Sequence, residues 1–231
     1  MLKELIDKFY LDREREKSKE QTRFYISDAG RCSRMVFFKI KKAPRRELEA
    51  QVLRTFDHGD YIHRLIMNTL FSLGLVRASE INIPPQEIIA GRADAIISLD
   101  NQLYVLDIKS ISGRTKTLDR PKEEDNAQLQ LYLHFFKIPK GILLYVNKDT
   151  QELNEFLVEY NPRLVQNLLT ELSKLRIKVD SNIIPSRIPG YPESWHCQYC
   201  QFFEICGMAS GGEMSWNDFK VKIEAMSKMN Q

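Results

Sequence analysis

The sequence has no long hydrophobic run, only four cysteines, and little excess of charge of either sign. Apolar stretches such as Gly141–Val146 are too short to cross a bilayer, so we expect no membrane segment. The N-terminus is charged, which indicates no signal peptide and predicts a cytoplasmic protein. A net charge of +3 over 231 residues leaves the class of partner open. The chain also contains no internal repeat and no low-complexity tract.

The four cysteines are spaced like metal ligands. Cys197, Cys200 and Cys206 form a C-x2-C-x5-C motif, and Cys32 lies far upstream. Structural disulfides are rare inside cells. A zinc ribbon normally takes two close cysteine pairs, whereas Cys32 has no neighbouring cysteine. One distant thiolate and a compact trio suit a [4Fe–4S] cluster, with a zinc site or unliganded thiols as the alternatives.

A second motif is acidic and lies in a predicted β-hairpin. Gly91-Arg92-Ala93-Asp94 and Asp107-Ile108-Lys109 are separated by two strand-like stretches. The turn between them is Asp100-Asn101, whose residue types tolerate the positive φ of tight hairpin turns. In the resulting register Asp94 lies opposite Asp107, with Cβ atoms about 5 Å apart. Lys109 shares the face of Asp107 because side chains alternate along a strand.

Two acids and a lysine on one patch of a sheet are what metal-assisted phosphodiester cleavage requires. The alternative is an acidic pair on a solvated sheet face, with the lysine as partial compensation. However, the sequence around Asp107 is apolar, and a buried carboxylate without a metal or partner is costly. We therefore expect Asp94 and Asp107 to hold a divalent cation.

A third feature is a run of basic residues that contains no acid, from Arg31 to Arg46. Because Phe37 and Phe38 lie within it, the run suits a phosphate backbone and base stacking. A solvated basic helix is the alternative. The residues that we expect to contact nucleic acid are Arg31, Arg34, Lys41, Lys42, Arg45 and Arg46.

These motifs resemble the PD-(D/E)xK nuclease superfamily and, within it, the RecB-type exonucleases. Gly59 and His63 resemble the Gly-x-x-x-His of the family's upstream helix. Gln128 and Tyr132 resemble the Gln-x-x-x-Tyr of the helix after the catalytic lysine. The cysteines resemble those of the iron–sulfur branch, which includes the CRISPR-associated RecB-like exonucleases and the AddB-type nuclease domain. That branch usually carries Glu in place of Asp107, and the Pro-Asp pair that names the superfamily is absent here.

The resemblance implies a metal-dependent DNA exonuclease that acts on single strands or DNA ends, in CRISPR spacer acquisition. Its implied cofactors are a [4Fe–4S] cluster and Mg²⁺ or Mn²⁺, and its implied partners are DNA and a CRISPR integrase complex. The alternatives are a phage or recombination-repair nuclease, and a non-catalytic nucleic-acid-binding iron–sulfur protein. We assign catalytic roles to Asp94, Asp107, Lys109, Gln128 and Tyr132, and metal ligation to His63, Asp94, Asp107 and the Ile108 carbonyl.

The predicted fold class is α/β, with a mixed central sheet flanked by helices. The resemblance makes this a restriction-endonuclease-like core with an iron–sulfur-stapled helical and C-terminal periphery. We expect one nuclease domain over residues 1–231, with its core at about 47–180 and its periphery at about 22–46 and 181–231. The predicted helices are one from Leu2, one capped by Ser27 that carries Cys32, 47–73, 121–136, 162–179 and one from Ser215. The predicted strands are 78–83, 88–99, 102–110, 141–146 and 155–160, with a polar loop at 111–120.

Overall fold

The computed structural model describes residues 1–16, 21–113 and 118–229. These residues fall into two compact units. The first contains residues 1–16, 25–30, 48–113 and 118–168, and the second contains residues 21–24, 31–47 and 169–229. None of the helices in the described ranges has the length and the apolar character that crossing a bilayer requires.

The secondary-structure elements follow the predicted order closely. In chain order they are α1 (Leu2–Glu16), β1 (Phe24–Tyr25), α2 (Ser33–Ile40), α3 (Ala50–Ser72), β2 (Val76–Asn82), β3 (Ile89–Ala90), β4 (Arg92–Leu99), β5 (Gln102–Ile111), α4 (Glu123–Phe136), β6 (Lys140–Asn147), β7 (Leu153–Glu159), α5 (Pro162–Asp180), β8 (Ile183–Ile184), α6 (Trp195–Gln198), α7 (Phe203–Met208), β9 (Met214–Ser215) and α8 (Trp216–Met229).

The first unit is built on a five-stranded sheet in the spatial order β2-β4-β5-β6-β7. Strands β5 and β6 run parallel, and the other neighbouring pairs run antiparallel. One face of the sheet carries Leu106, which packs in a buried cluster with Ile62 of α3. The opposite face carries Gly141, where an added Cβ would lie 2.9 Å from Leu129 Cδ1 of α4. Helices therefore cover both faces, and the predicted mixed sheet flanked by helices is confirmed.

The second unit has an aromatic core. Phe37 of α2 packs against Trp216 of α8, with ring centroids 6.0 Å apart, and Phe38 stacks on Phe219 at 6.3 Å. Strands β8 and β9 pair antiparallel, and the Trp216 amide donates to the Asn182 carbonyl at 2.8 Å. These contacts join chain segments that are far apart in sequence.

The second helix begins later than predicted. Ser27 lies in a short 3-10 turn, Ile26–Asp28, and caps no α-helix. The chain then passes through Gly30, whose φ of +72° does not fit a right-handed helix. Helix α2 starts at Ser33, so Cys32 occupies its N-cap position and not its interior.

The strand predicted for residues 88–99 is two strands, β3 and β4. The break is at Gly91, where an added Cβ would lie 2.7 Å from Ile26 Cδ1, so the site admits no side chain without a shift. The polar loop predicted for residues 111–120 includes 114–117, which lie outside the described residues.

Candidate functional site

The β4–β5 hairpin has the predicted register. Asp100 and Asn101 form its turn, with φ of +48° and +61°. Cross-strand pairing runs from Leu99 opposite Gln102 to Ala95 opposite Leu106, which confirms the prediction. One position further, Asp94 reaches β5, and its Oδ2 accepts a hydrogen bond of 2.7 Å from the Ile108 amide.

Asp107 is the most deeply buried acid of this site, with 1% of its surface exposed. Its Oδ1 accepts a hydrogen bond of 3.2 Å from Gln128 Nε2. Lys109 Nζ lies 2.9 Å from Asp107 Oδ2 but outside hydrogen-bonding geometry, so among the described residues this buried oxygen has no hydrogen-bond partner. Burial raises the pKa of Asp107 to about 7, Lys109 opposes the rise, and Asp94 adds to it.

Lys109 is held by three side chains. Besides its ion pair with Asp107, its Nζ donates to Gln128 Oε1 at 3.2 Å and lies 4.0 Å from Asp125 Oδ1. Burial lowers the pKa of Lys109, but Asp107 and Asp125 outweigh that effect and raise it on balance. The lysine therefore stays charged, with its ammonium group restrained beside the acids.

Helix α4 supplies Gln128 and Tyr132 from one face, but they contact different parts of the site. Gln128 bridges Asp107 and Lys109. Tyr132 is buried, and its hydroxyl donates to the Arg92 carbonyl at 2.7 Å, which ties α4 to the start of β4. Burial raises the pKa of Tyr132, so its hydroxyl remains protonated as a donor.

Helix α3 brings His63 to the same site. His63 Nε2 lies 3.3 Å from Asp94 Oδ1, and Asp94 raises the pKa of His63 while burial partly opposes it. Gly59 lies one turn earlier, where an added Cβ would come within 2.9 Å of Ser110 Oγ. The absence of a side chain at Gly59 thus lets α3 approach β5 closely enough for His63 to reach Asp94.

Glu80 joins the site from β2. The β2–β4 register pairs Ser79 with Ala95 and Ile81 with Ala93, which places Glu80 opposite Asp94. Glu80 has a φ of +52°, a conformation that non-glycine residues rarely adopt within a strand. Its Oε2 pairs with Arg92 Nε at 2.7 Å. One ligand atom from each of Glu80, Asp94 and His63 lies within 4.8 Å of the other two.

These residues fit a divalent cation. His63 offers a ring nitrogen, and the acids offer hard oxygen ligands on adjacent strands. The buried Asp107 Oδ2 and His63 Nε2, both without hydrogen-bond partners among the described residues, are the atoms that a cation would satisfy. The Ile108 amide is used by Asp94, and the role of the Ile108 carbonyl stays a prediction.

Asp125 is a residue that sequence reasoning missed. It lies three positions before Gln128 on α4, and its Oδ2 accepts a hydrogen bond of 2.8 Å from the Tyr145 hydroxyl. Tyr145 in turn accepts from the Lys122 amide at 3.1 Å. The signal available in the sequence was the helical spacing of Asp125 and Gln128, which puts both on the face toward Lys109.

All four cysteines belong to the second unit. Cys32 lies at the N-cap of α2, and the other three lie within or next to the short helices α6 and α7. Burial is the main cause that raises the pKa values of Cys32, Cys197 and Cys200, and repulsion from the other thiols contributes. The thiols are thus close enough to repel one another when ionised, and holding them as thiolates requires a positive partner.

The spacing of the sulfurs bears on which metal they suit. Among the described residues the cysteines form no group of three whose ligand atoms lie within 4.8 Å of one another. Tetrahedral zinc with Zn–S bonds of about 2.3 Å would hold its sulfurs about 3.8 Å apart. A cluster of several iron atoms separates its thiolates more widely than a single zinc ion does.

The basic run of α2 and its following loop is divided between interior and surface. Arg31, Lys42, Arg45 and Arg46 are exposed, and Lys41 donates from Nζ to Asn182 Oδ1 at 2.6 Å. Arg34 is 1% exposed, so the expectation that it contacts nucleic acid is wrong for this structure. Phe37 and Phe38 are fully buried in the aromatic core and are not available to stack on bases.

Comparison with known proteins gives consistent matches over most of the chain. A family model described as the PD-(D/E)XK nuclease superfamily matches residues 2–207. The CRISPR-associated exonuclease Cas4 of Saccharolobus solfataricus is 30% identical over 222 residues, covering 89% of this chain and 98% of that protein. The crystal structure of SSO0001 is similar with a TM-score of 0.60 and 25% identity, covering 89% of this chain and 96% of that chain.

Proposed function

This chain belongs to the PD-(D/E)XK nuclease superfamily, and on that premise we propose that it is a divalent-metal-dependent DNA exonuclease acting on single strands or DNA ends. The observation that carries the proposal is the convergence of Asp94, Asp107 and Lys109 with His63 in one partly buried site. The name of the Saccharolobus relative supports an exonuclease that is associated with CRISPR. A role in CRISPR spacer acquisition, beside an integrase complex, is part of our proposal.

Each residue has a distinct task in this proposal. Asp94, Asp107 and His63 hold the cation, Mg²⁺ or Mn²⁺, and the nitrogen of His63 favours Mn²⁺. When bound, the cation supplies a water of lowered pKa and offsets charge on the scissile phosphate. Lys109 stabilises the negative charge that develops on the phosphoryl group, because its ammonium is already restrained by Asp107 and Gln128. Gln128 holds the side chains of Lys109 and Asp107 in place by a hydrogen bond to each. Tyr132 fixes α4 against β4.

The test is cleavage of end-labelled single-stranded DNA with and without Mn²⁺, using protein purified without air. Asp94→Ala, Asp107→Ala and Lys109→Ala should each lower the rate by about 100-fold or more while leaving DNA binding intact. Lys174→Ala, which removes an exposed lysine paired with Glu171, is the matched control and should cleave normally. A Lys109→Ala variant with the parental rate would refute the assignment, and a parent that binds DNA but never cleaves it would favour the non-catalytic alternative.

We further propose that Cys32, Cys197, Cys200 and Cys206 hold a [4Fe–4S] cluster that staples the two segments of the second unit. The need to stabilise thiolates that burial disfavours and that repel one another supports it. Protein prepared without air should contain iron and labile sulfide and absorb broadly at roughly 400 nm. A colourless protein with one equivalent of zinc would overturn this proposal.

The exposed basic residues Arg31, Lys42, Arg45 and Arg46 are the proposed contacts to the DNA backbone. Arg45→Glu with Arg46→Glu should weaken DNA binding at low salt and reduce the slope of log affinity against log salt concentration, because fewer counterions are released. Cleavage at saturating protein should be unchanged. An unchanged affinity and salt slope would place the DNA path elsewhere.

A further inference from the structure

Arg34 is a buried cation beside the cysteine site, and its surroundings give it a role that the basic run alone did not indicate. It lies two residues after Cys32 on α2, and 1% of its surface is exposed. Its Nη1 lies 3.7 Å from Cys206 Sγ, within hydrogen-bonding distance of a sulfur acceptor. Arg34 therefore links the segment of the isolated cysteine to a member of the C-terminal trio.

The guanidinium uses all five of its N–H donors. Besides Cys206 Sγ, its acceptors are the carbonyls of Pro185 at 2.6 Å, Ser210 at 2.9 Å, Gly211 at 3.3 Å and Gly212 at 2.9 Å. Four of the five acceptors are neutral. These bonds satisfy the geometry of the side chain, and none of the five acceptors is a carboxylate.

No carboxylate within the described residues forms an ion pair with Arg34. Burying a guanidinium that has no counter-charge is unfavourable, so buried arginines are normally paired. The group in contact with Arg34 that can become negative is the Cys206 thiol. Four thiolates around an iron–sulfur cluster leave a net negative charge, which would serve as the counter-charge for this arginine.

We propose that Arg34 is a positioning residue of the cysteine site: its charge offsets the negative charge of the thiolate-bound cluster and raises the reduction potential. This inference rests on the proposed cluster. One-electron reduction adds negative charge to the cluster, and a buried cation in contact with a ligand sulfur favours the reduced form. The same contact slows loss of the cluster, because it stabilises the Cys206 thiolate.

Arg187 provides a matched control on the same segment. Its Nη2 donates to the carbonyls of Cys206 at 2.7 Å, Gly207 at 3.0 Å and Ala209 at 2.7 Å, and its guanidinium lies 4.2 Å from the centre of the Tyr191 ring. Both arginines therefore hold the backbone around residues 206–212. Of the two, Arg34 is the one with a hydrogen bond to a cysteine sulfur.

The experiment compares Arg34→Met, Arg34→Lys and Arg187→Met in the full chain prepared without air. Redox titration followed by EPR gives the midpoint potential, and the release of iron to a chelator gives the rate of cluster loss. In Arg34→Met we expect a lower midpoint potential and about tenfold faster loss of the cluster. That magnitude is typical when a residue that contacts a metal ligand is replaced. Arg34→Lys should keep most of the parental potential because it keeps the charge, and Arg187→Met should change the potential less than Arg34→Met does.

If Arg34→Met does not fold, a measurement on the parental protein tests the same contact between Arg34 and the cluster. Pulsed EPR of the reduced cluster, in protein labelled with arginine that carries ¹⁵N only in its guanidinium group, should detect nitrogen coupled to the cluster, and Arg187→Met should keep the signal. Equal potentials in all variants, or no coupled arginine nitrogen, would overturn the role of Arg34 while leaving the cluster intact. A parental protein without iron would overturn the proposed cluster, and the inference would fall with it.

Discussion

The pH dependence of metal binding tests the site most directly. A carboxylate or imidazole must lose its proton to bind a cation, so the affinity for Mn²⁺ should rise with pH. Asp107 has a pKa of about 7 because it is buried, and Asp94 raises the pKa of His63. Both ligands are therefore partly or largely protonated near pH 6 in the metal-free protein.

The magnitude follows from the pKa of Asp107. With a value of about 7, Asp107 alone should make Mn²⁺ binding about tenfold weaker at pH 6 than at pH 8, or about 1.4 kcal/mol, with a further contribution from His63. Titration calorimetry in buffers of different ionisation enthalpy should also detect about 0.9 proton released by Asp107 at pH 6 and about 0.1 at pH 8.

The matched variants are Asp107→Asn and His63→Gln. Each should bind Mn²⁺ more weakly at pH 8, and each should remove its own share of the proton release. An affinity that is flat between pH 6 and pH 8 in the parental protein would show that the burial of Asp107 does not control this site. If the Mn²⁺ affinity of both variants still rises with pH as in the parental protein, groups other than Asp107 and His63 lose the protons.

Three further predictions concern the same unit. Gly59→Ala should lower metal affinity and the cleavage rate, because the added Cβ would lie 2.9 Å from Ser110 Oγ. Adding Ser110→Ala should restore part of both. A double variant that is no better than Gly59→Ala would contradict the packing argument. Asp125→Asn should slow cleavage with little change in DNA affinity, because Asp125 helps to hold Lys109; a normal rate at saturating Mn²⁺ would remove Asp125 from the site. In chelator at pH 8, Asp107→Asn should raise the free energy of unfolding by about 1–2 kcal/mol. Burial raises the pKa of Asp107, so the parental protein loses stability as pH rises through about 7 and the buried carboxyl ionises. Denaturant unfolding of the variant and the parent at pH 5 and pH 8 checks this prediction, because the variant's gain in the free energy of unfolding should be smaller at pH 5.

Much of the catalytic hairpin was predictable from local sequence. The positive φ of Asp100 and Asn101 and the strict alternation of the flanking strands leave one register in which the apolar faces are buried. That register brings Asp94 to β5 without any long-range information. The long helices and the mixed sheet were predictable for the same reason, because their hydrophobic periods persist over many residues.

Contacts between distant segments were decided by tertiary structure. Arg34 stands among exposed basic residues in the sequence, yet its guanidinium is buried because carbonyls from residues 185 and 210–212 surround it. Glu80 enters the metal site through a backbone conformation that no local pattern indicates. Asp125 reaches Lys109 only because α4 packs on the sheet beside it.

The sequence by itself thus determined which elements form and which residues share a strand or a helix face, since both depend on periodicity over neighbouring residues. The tertiary structure decided which charges are buried and what satisfies them. Asp107, Arg34 and the cysteines acquire their chemistry from groups that approach them from other parts of the chain. Desolvation is a property of the packed unit, and a residue's own neighbours in sequence do not fix it.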